Sequence, residues 1–305
     1  MDHSIYHLFL DFFSLVDPNV RFVLLGVILL TTSSAMIGSF TLLQKKTLVS
    51  DAIAHAVLPG ICLAFICTGT KNITYLTIGA FTTGWLASLC IDGITNNSKI
   101  KKDTAISLVL SISFGVGSLL LAILQNSGNA AQGGLKYYLY GSAATLVQED
   151  VIALAILSLV IIITIILFFK EFKLIAFDKT FAVSIGLPVK QLEFLLTSLT
   201  VLAIVVGIRT VGLVLMAAML ITPPAAARFW TNNLNKMIVL ATILAAISGI
   251  LGTFLSYTAP SMPTGPWIVI IISFTAYFSF IFSPKKGLMA RKIKRRKWVK
   301  IYYKK

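Results

Sequence analysis

Asp150-Val-Ile-Ala-Leu-Ala-Ile-Leu-Ser-Leu-Val-Ile-Ile-Ile-Thr-Ile-Ile-Leu-Phe-Phe169 decides the fold class. After its first residue the stretch carries no charge, and Ser158 and Thr164 are its only polar side chains. As a helix, about twenty residues rise about 30 Å, the thickness of a bilayer's hydrocarbon core. A membrane β-strand needs only about ten residues of alternating character. A continuous run of this length therefore argues for a membrane helix and against a barrel.

Working outward, comparable apolar runs occupy 22–44, 52–69, 73–93, 104–125, 194–208, 211–228, 236–258 and 267–283. The runs at 194–208 and 211–228 are short and nearly touch at Arg209, so they are either two spans or one broken element. Segment 134–147 is too short to span and reads as interfacial or re-entrant. Only 12% of the 305 residues are charged and 57% are hydrophobic, against about 25% charged in soluble domains. The expectation is an all-α, polytopic transmembrane bundle of about eight to nine spans in one continuous domain.

The basic residues orient the bundle. With nine spans, one set of loops and the C-terminal tail holds 22 of the 26 Lys and Arg residues, and the opposite set holds Arg21, Lys71, Lys136 and Arg209. The positive-inside rule then puts the C-terminus in the cytoplasm and the N-terminus outside. The net charge of +15 follows from this asymmetry and does not indicate nucleic acid as a partner. The chain divides into an outer or interfacial segment 1–21, a transmembrane domain 22–283 and a basic cytoplasmic tail 284–305. Trp298, Tyr302 and Tyr303 among the tail's basic residues suit either an anionic lipid surface or a solvated orientation tail. The first 21 residues lack the basic start and cleavage site of a secretory signal. Cys62, Cys67 and Cys90 lie in apolar runs without metal-type spacing and read as buried thiols.

Against this background Asp51-Ala-Ile-Ala-His-Ala-Val-Leu-Pro-Gly60 is costly. Asp51 and His55, four residues apart, share one helix face, and ionisable groups in a span mark a pathway or a site. A carboxylate oxygen and an imidazole nitrogen side by side are half of a divalent transition-metal site. Pro59 has no N–H for the carbonyl of His55, which leaves a backbone oxygen beside the imidazole. His3 and His7 read as surface histidines of the outer segment, leaving His55 as the one histidine of the membrane region.

The longest interior connection, 170–193, carries helix signals of its own. Asp178 suits an N-cap, Gly186 a left-handed C′ position, and Pro188 stops continuation. Phe177, Phe181 and Ile185 repeat at four-residue spacing and form an apolar stripe, which needs either a partner or the inner ends of the chain's own spans. Thr222-Pro223-Pro224 frees the carbonyls of Met219 and Leu220. That either opens a broken helix beside a path or kinks a helix packed through Ala225, Ala226 and Ala227. Ser111/Gly115 and Ser113/Gly117 read as close-packing pairs. Asp92 reads as interfacial, ending its span, and Arg209 as snorkelling outward. There is no phosphate-binding Gly-x-x-x-x-Gly-Lys-Ser/Thr loop and no His-Glu-x-x-His pair, so neither ATP hydrolysis by that route nor zinc proteolysis is expected.

Five separated segments carry a resemblance: Gly38–Lys46 with Ser50–Gly60, Tyr138–Thr145 leading to Asp150, Phe177–Gly186, Thr210–Met216, and Pro223–Arg228. Over about residues 20–283 the chain resembles the membrane permease subunit of ABC-type manganese, zinc and iron importers. The resemblance implies a multi-pass protein of the bacterial plasma (inner) membrane with no catalysis of its own. It implies that the subunit pairs with a second or related permease, docks cytosolic ATPase subunits that use ATP, and receives a divalent metal from an external metal-binding lipoprotein. Asp51 and His55 carry over as metal ligands. Phe177, Asp178, Phe181, Ile185 and Gly186 carry over as the ATPase-coupling segment. No permanently bound cofactor is implied. Tyr138–Thr145 and Met262–Pro266 look more like the manganese than the zinc branch. The competing expectation is an ion-coupled secondary transporter, against which stand the coupling-like loop and the lack of a clear internal repeat.

Overall fold

A computed structural model describes residues 5–14, 16–70, 72–126, 146–258, 263–284, 286–290 and 292. The Tyr138–Thr145 segment, Met262 and the tail beyond 292 lie outside these residues. The order is α1 (Ile5–Ser14), α2 (Pro18–Leu43), α3 (Thr47–Thr68), α4 (Ile73–Asn97), α5 (Lys102–Asn126), α6 (Gln148–Leu167), α7 (Phe169–Phe177), α8 (Lys179–Ser184), α9 (Val189–Val211), α10 (Leu213–Trp230), α11 (Leu234–Thr258) and α12 (Thr264–Phe282). Among the described residues nine helices, α2–α6 and α9–α12, are long and apolar enough to cross a membrane.

Helix ends follow local chemistry more closely than hydropathy. α2 begins at Pro18, earlier than its apolar run, because the Asp17 side chain accepts the Asn19 N–H (2.9 Å) and proline fits the first turn. α4 runs on past Asp92 to Asn97, so Asp92 lies within a helix and does not end it. The runs around Arg209 are two helices. Gly212, with φ +89° and ψ 164°, occupies a region essentially reserved for glycine and breaks α9 from α10.

α2 runs along the core, packing against α6, α10 and α11, while α3 packs on α4 and α5. α10 continues through Pro223 and Pro224, both buried. The carbonyl of Leu220, four residues before Pro224, lies so close to Gly38 of α2 that a Cβ there would collide with it. The freed Leu220 oxygen is thus covered by the α2 backbone, and of the three alanines beyond the prolines Ala226 and Ala227 are buried. Of the two small-residue pairs on α5, only the second makes a close approach. Gly117 packs on Leu58 and Pro59 of α3, whereas Gly115 faces open space.

Cys62 is buried, but Cys67 and Cys90 lie on the bundle surface, contrary to the expectation of three buried thiols. Apolar character cannot separate a lipid-facing position from a core position. α1 closes one end of the bundle, with Phe12 fully buried and edge-on to Phe254 of α11 at 5.3 Å.

Candidate metal centre

α3 is continuous from Thr47 to Thr68 despite Pro59, so the four-residue spacing of Asp51 and His55 is realised as a single helical turn. His55 Nε2 lies 3.9 Å from Asp51 Oδ1. The two side chains keep 24% and 37% of their surface open, which leaves them able to take a further ligand. His55 Nδ1 is buried without a hydrogen-bond partner. The ring of Phe114 from α5 stands edge-on to the imidazole at 5.3 Å and fixes its plane. Phe114 is a site neighbour that the sequence alone did not single out.

The imidazole opens into a cleft of about 490 Å³. Its walls are Leu58, Phe114, Gly212 with the first turn of α10, and Pro266 of α12. At 1.5 Å per residue His55 sits about 12 Å along a helix of about 33 Å. The cleft joins it to the N-terminal turns of α10 and α12, which belong to the opposite face of the bundle from the start of α3. His55 thus lines a cleft leading away from the basic α2–α3 turn, with Asp51 one helical turn behind it. Among the described residues no group of three or more His, Cys, Asp or Glu side chains converges as a metal site. One chain therefore brings together one carboxylate and one imidazole, both part-exposed.

Arg209 does not simply snorkel. Its guanidinium meets the Asp150 carboxylate at 2.6 Å, with the side chains 26% and 12% exposed. Asp150 lies in the first turn of α6 and Arg209 in the last turn of α9, so each charge also complements its own helix dipole.

At the other face the connection 170–193 is almost entirely helical. α7, which no local signal in 170–193 announces, buries Phe172 and Ile175, and Phe172 packs edge-on against Phe40 of α2 at 5.7 Å. Asp178 caps α8, accepting the Phe181 N–H at 2.9 Å. Gly186 has φ +81°, the left-handed turn expected before Pro188. Phe177, Phe181 and Ile185 remain 60%, 51% and 53% exposed, joined by Val183 at 59%. The stripe is not covered by the chain's own described spans.

A helical membrane bundle with an imidazole at a cleft, a carboxylate one turn behind it, and a capped apolar helix at the opposite face is the architecture of a transport permease. The chain belongs to the ABC 3 transport family, whose model matches residues 17–283. It is 48% identical over 280 residues to the manganese transport system membrane protein MntC of Bacillus subtilis (strain 168), covering 92% of this chain and 64% of that protein. The chain thus spans somewhat less than two thirds of that relative's length. It is 37% identical to the zinc transport system membrane protein TroC of Treponema pallidum (strain Nichols), over 97% of both chains. Among solved structures it matches PsaBC from Streptococcus pneumoniae in complex with Fab, with a TM-score of 0.80 and 31% identity over 93% of this chain and 99% of that one.

Proposed function

We propose that the chain is the permease subunit of an ATP-driven importer of a divalent transition metal, with manganese favoured. The observation that carries this reading is the part-exposed Asp51–His55 pair, whose imidazole lines a cleft within a membrane bundle. Family membership and relatives named for manganese and zinc transport support it.

Two copies related by a twofold axis contribute the same pair, giving two carboxylates and two imidazoles. Such a mixed oxygen and nitrogen set suits manganese, iron or zinc, with carboxylates pulling towards manganese. The C-terminus and the basic loops lie in the cytoplasm and the N-terminus outside. Metal delivered by an external lipoprotein enters the cleft, displaces water and meets Asp51 and His55. Cytosolic ATPases grip the stripe Phe177, Phe181 and Ile185, with Asp178 and Gly186 setting the ends of the gripped helix. Their ATP cycle moves α8 and opens the site inward. The permease itself performs no chemistry.

The test is uptake of manganese by the assembled transporter carrying Asp51→Ala or His55→Ala, at expression matched to the unaltered protein. Each loses a direct ligand. The expected fall is therefore at least the roughly 10–100-fold that loss of an outer-shell partner alone costs. Undiminished uptake in both variants would remove the pair from the path.

A further inference from the structure

Glu193, in the first turns of α9, is reached by lysines from two other parts of the bundle. Its Oε2 accepts from Lys179 Nζ of α8 at 2.8 Å, and its Oε1 lies 3.8 Å from Lys46 Nζ. Lys46 is the residue on which α3 begins, five residues before Asp51 and nine before His55. Lys102, part-buried at the start of α5, lies within electrostatic reach of the same carboxylate and of Lys46, Lys179 and Asp92. α5 is the helix that carries Phe114 against His55. The turn holding Lys46 is hydrogen-bonded to the end of α2: Lys45 has φ +57° and the Lys46 N–H donates to the Thr41 carbonyl at 2.8 Å.

Packing alone joins the two elements only through the body of α9, which lies against both α8 and α3. Glu193 adds a direct side-chain link from α8 to the N-cap residue of α3. Glu193 and Lys46 are only 22% and 17% exposed, so solvent screens their attraction less than that of a surface pair.

We propose that Glu193 is a positioning residue that ties the coupling helix α8 to the start of the metal-bearing helix α3. A displacement of α8 is thereby passed to Asp51 and His55. Each carboxylate oxygen serves a different lysine, so one side chain holds both elements at once. Ion-pair networks joining packed helices carry coupling when they have two arrangements that both ends bias, and here the Lys179 end is 59% exposed and free to exchange while the Lys46 end is part-buried. The inference rests on the transporter reading above and adds a residue outside both the metal pair and the ATPase-facing stripe.

The experiment uses the complete transporter in proteoliposomes, measuring manganese entry and ATP hydrolysis on the same sample. Glu193→Gln keeps the shape and removes the charge. Metal entering per ATP hydrolysed is expected to fall about tenfold, in the range of an ordinary coupling free energy. Glu193→Asp, which keeps the charge, should restore part of it. Lys46→Gln and Lys179→Gln should each reproduce the loss, and combining either with Glu193→Gln should add little. A Glu193→Gln transporter with unchanged metal per ATP overturns the inference. So does a parallel fall of hydrolysis and uptake, which would mark a merely structural residue. If Glu193→Gln fails to assemble, the two lysine variants and their double decide by the same criterion. Loss of uptake in Asp51→Ala beside normal coupling in Glu193→Gln would leave the transporter reading standing while this inference fell. Absence of any metal entry in the unaltered complex would remove both.

Discussion

Arg209 and Asp150 show what single residues contribute and why they were hard to read. Either looks like an interfacial charge when taken alone. Together they form a short, part-buried ion pair joining the end of α9 to the start of α6. Removing one partner strands the other where water reaches it poorly. Arg209→Ala is expected to destabilise the protein by about 2 kcal/mol, between the scale of an exposed ion pair and that of breaking a buried one. The apparent melting temperature of the detergent-purified protein should fall by several degrees. Asp150→Ala should cost more, because it also loses the Val147 N–H that Asp150 Oδ2 accepts at 3.3 Å, and the double variant should cost little more than Asp150→Ala alone. Strict additivity would show that the contact carries no coupling. Asp51 and His55, by contrast, were legible because one helical turn brings them together and sequence spacing reports that directly. Arg209 with Asp150, Phe114 with His55, and Lys46 with Glu193 are separated by many residues, and no local period announces such contacts.

At the scale of an element, α8 is the most legible part of the chain. Its cap, its left-handed glycine and its stopping proline are backbone constraints written in three residues, and the structure realises all of them. What spacing left open was the fate of the apolar stripe, because an exposed stripe and a buried stripe have the same period. Phe181 projects from a helix whose only buried residue is Ala182, so its loss should not disturb the bundle. Phe181→Ser is expected to weaken association with the cytosolic ATPase by about 2 kcal/mol, a roughly 30-fold loss of affinity typical of a central aromatic anchor. The measurement is ATPase retained on immobilised, membrane-extracted permease, with expression and melting temperature as controls. Full retention would assign the stripe to something other than the ATPase. α7 was missed because its helix has no cap signal at either end, and it is set by tertiary packing of Phe172 and Ile175 instead.

For the whole molecule, the number and order of spans were legible, because bilayer thickness imposes a length on every apolar run. Which face of each span is buried was not. Core and lipid reward the same side chains, and Cys67 and Cys90 fell on the outer surface for that reason. The same ambiguity bears on assembly. A single chain brings only Asp51 and His55 to the proposed site, and among its described residues no third His, Cys, Asp or Glu side chain converges there. A transition metal held by one carboxylate and one imidazole would keep most of its water, whereas a twofold pair of chains doubles the protein ligands without any new contact within either chain. The expected stoichiometry is therefore one manganese ion per two chains. It can be measured by counting ions bound at equilibrium to the purified transporter and by the manganese paramagnetic resonance spectrum. In transporters assembled from one unaltered and one His55→Ala copy, binding should weaken for the whole assembly, because both copies share one ion. One ion per chain, or half-normal binding of full affinity in the mixed assembly, would show that each copy holds metal by itself and would overturn the shared site.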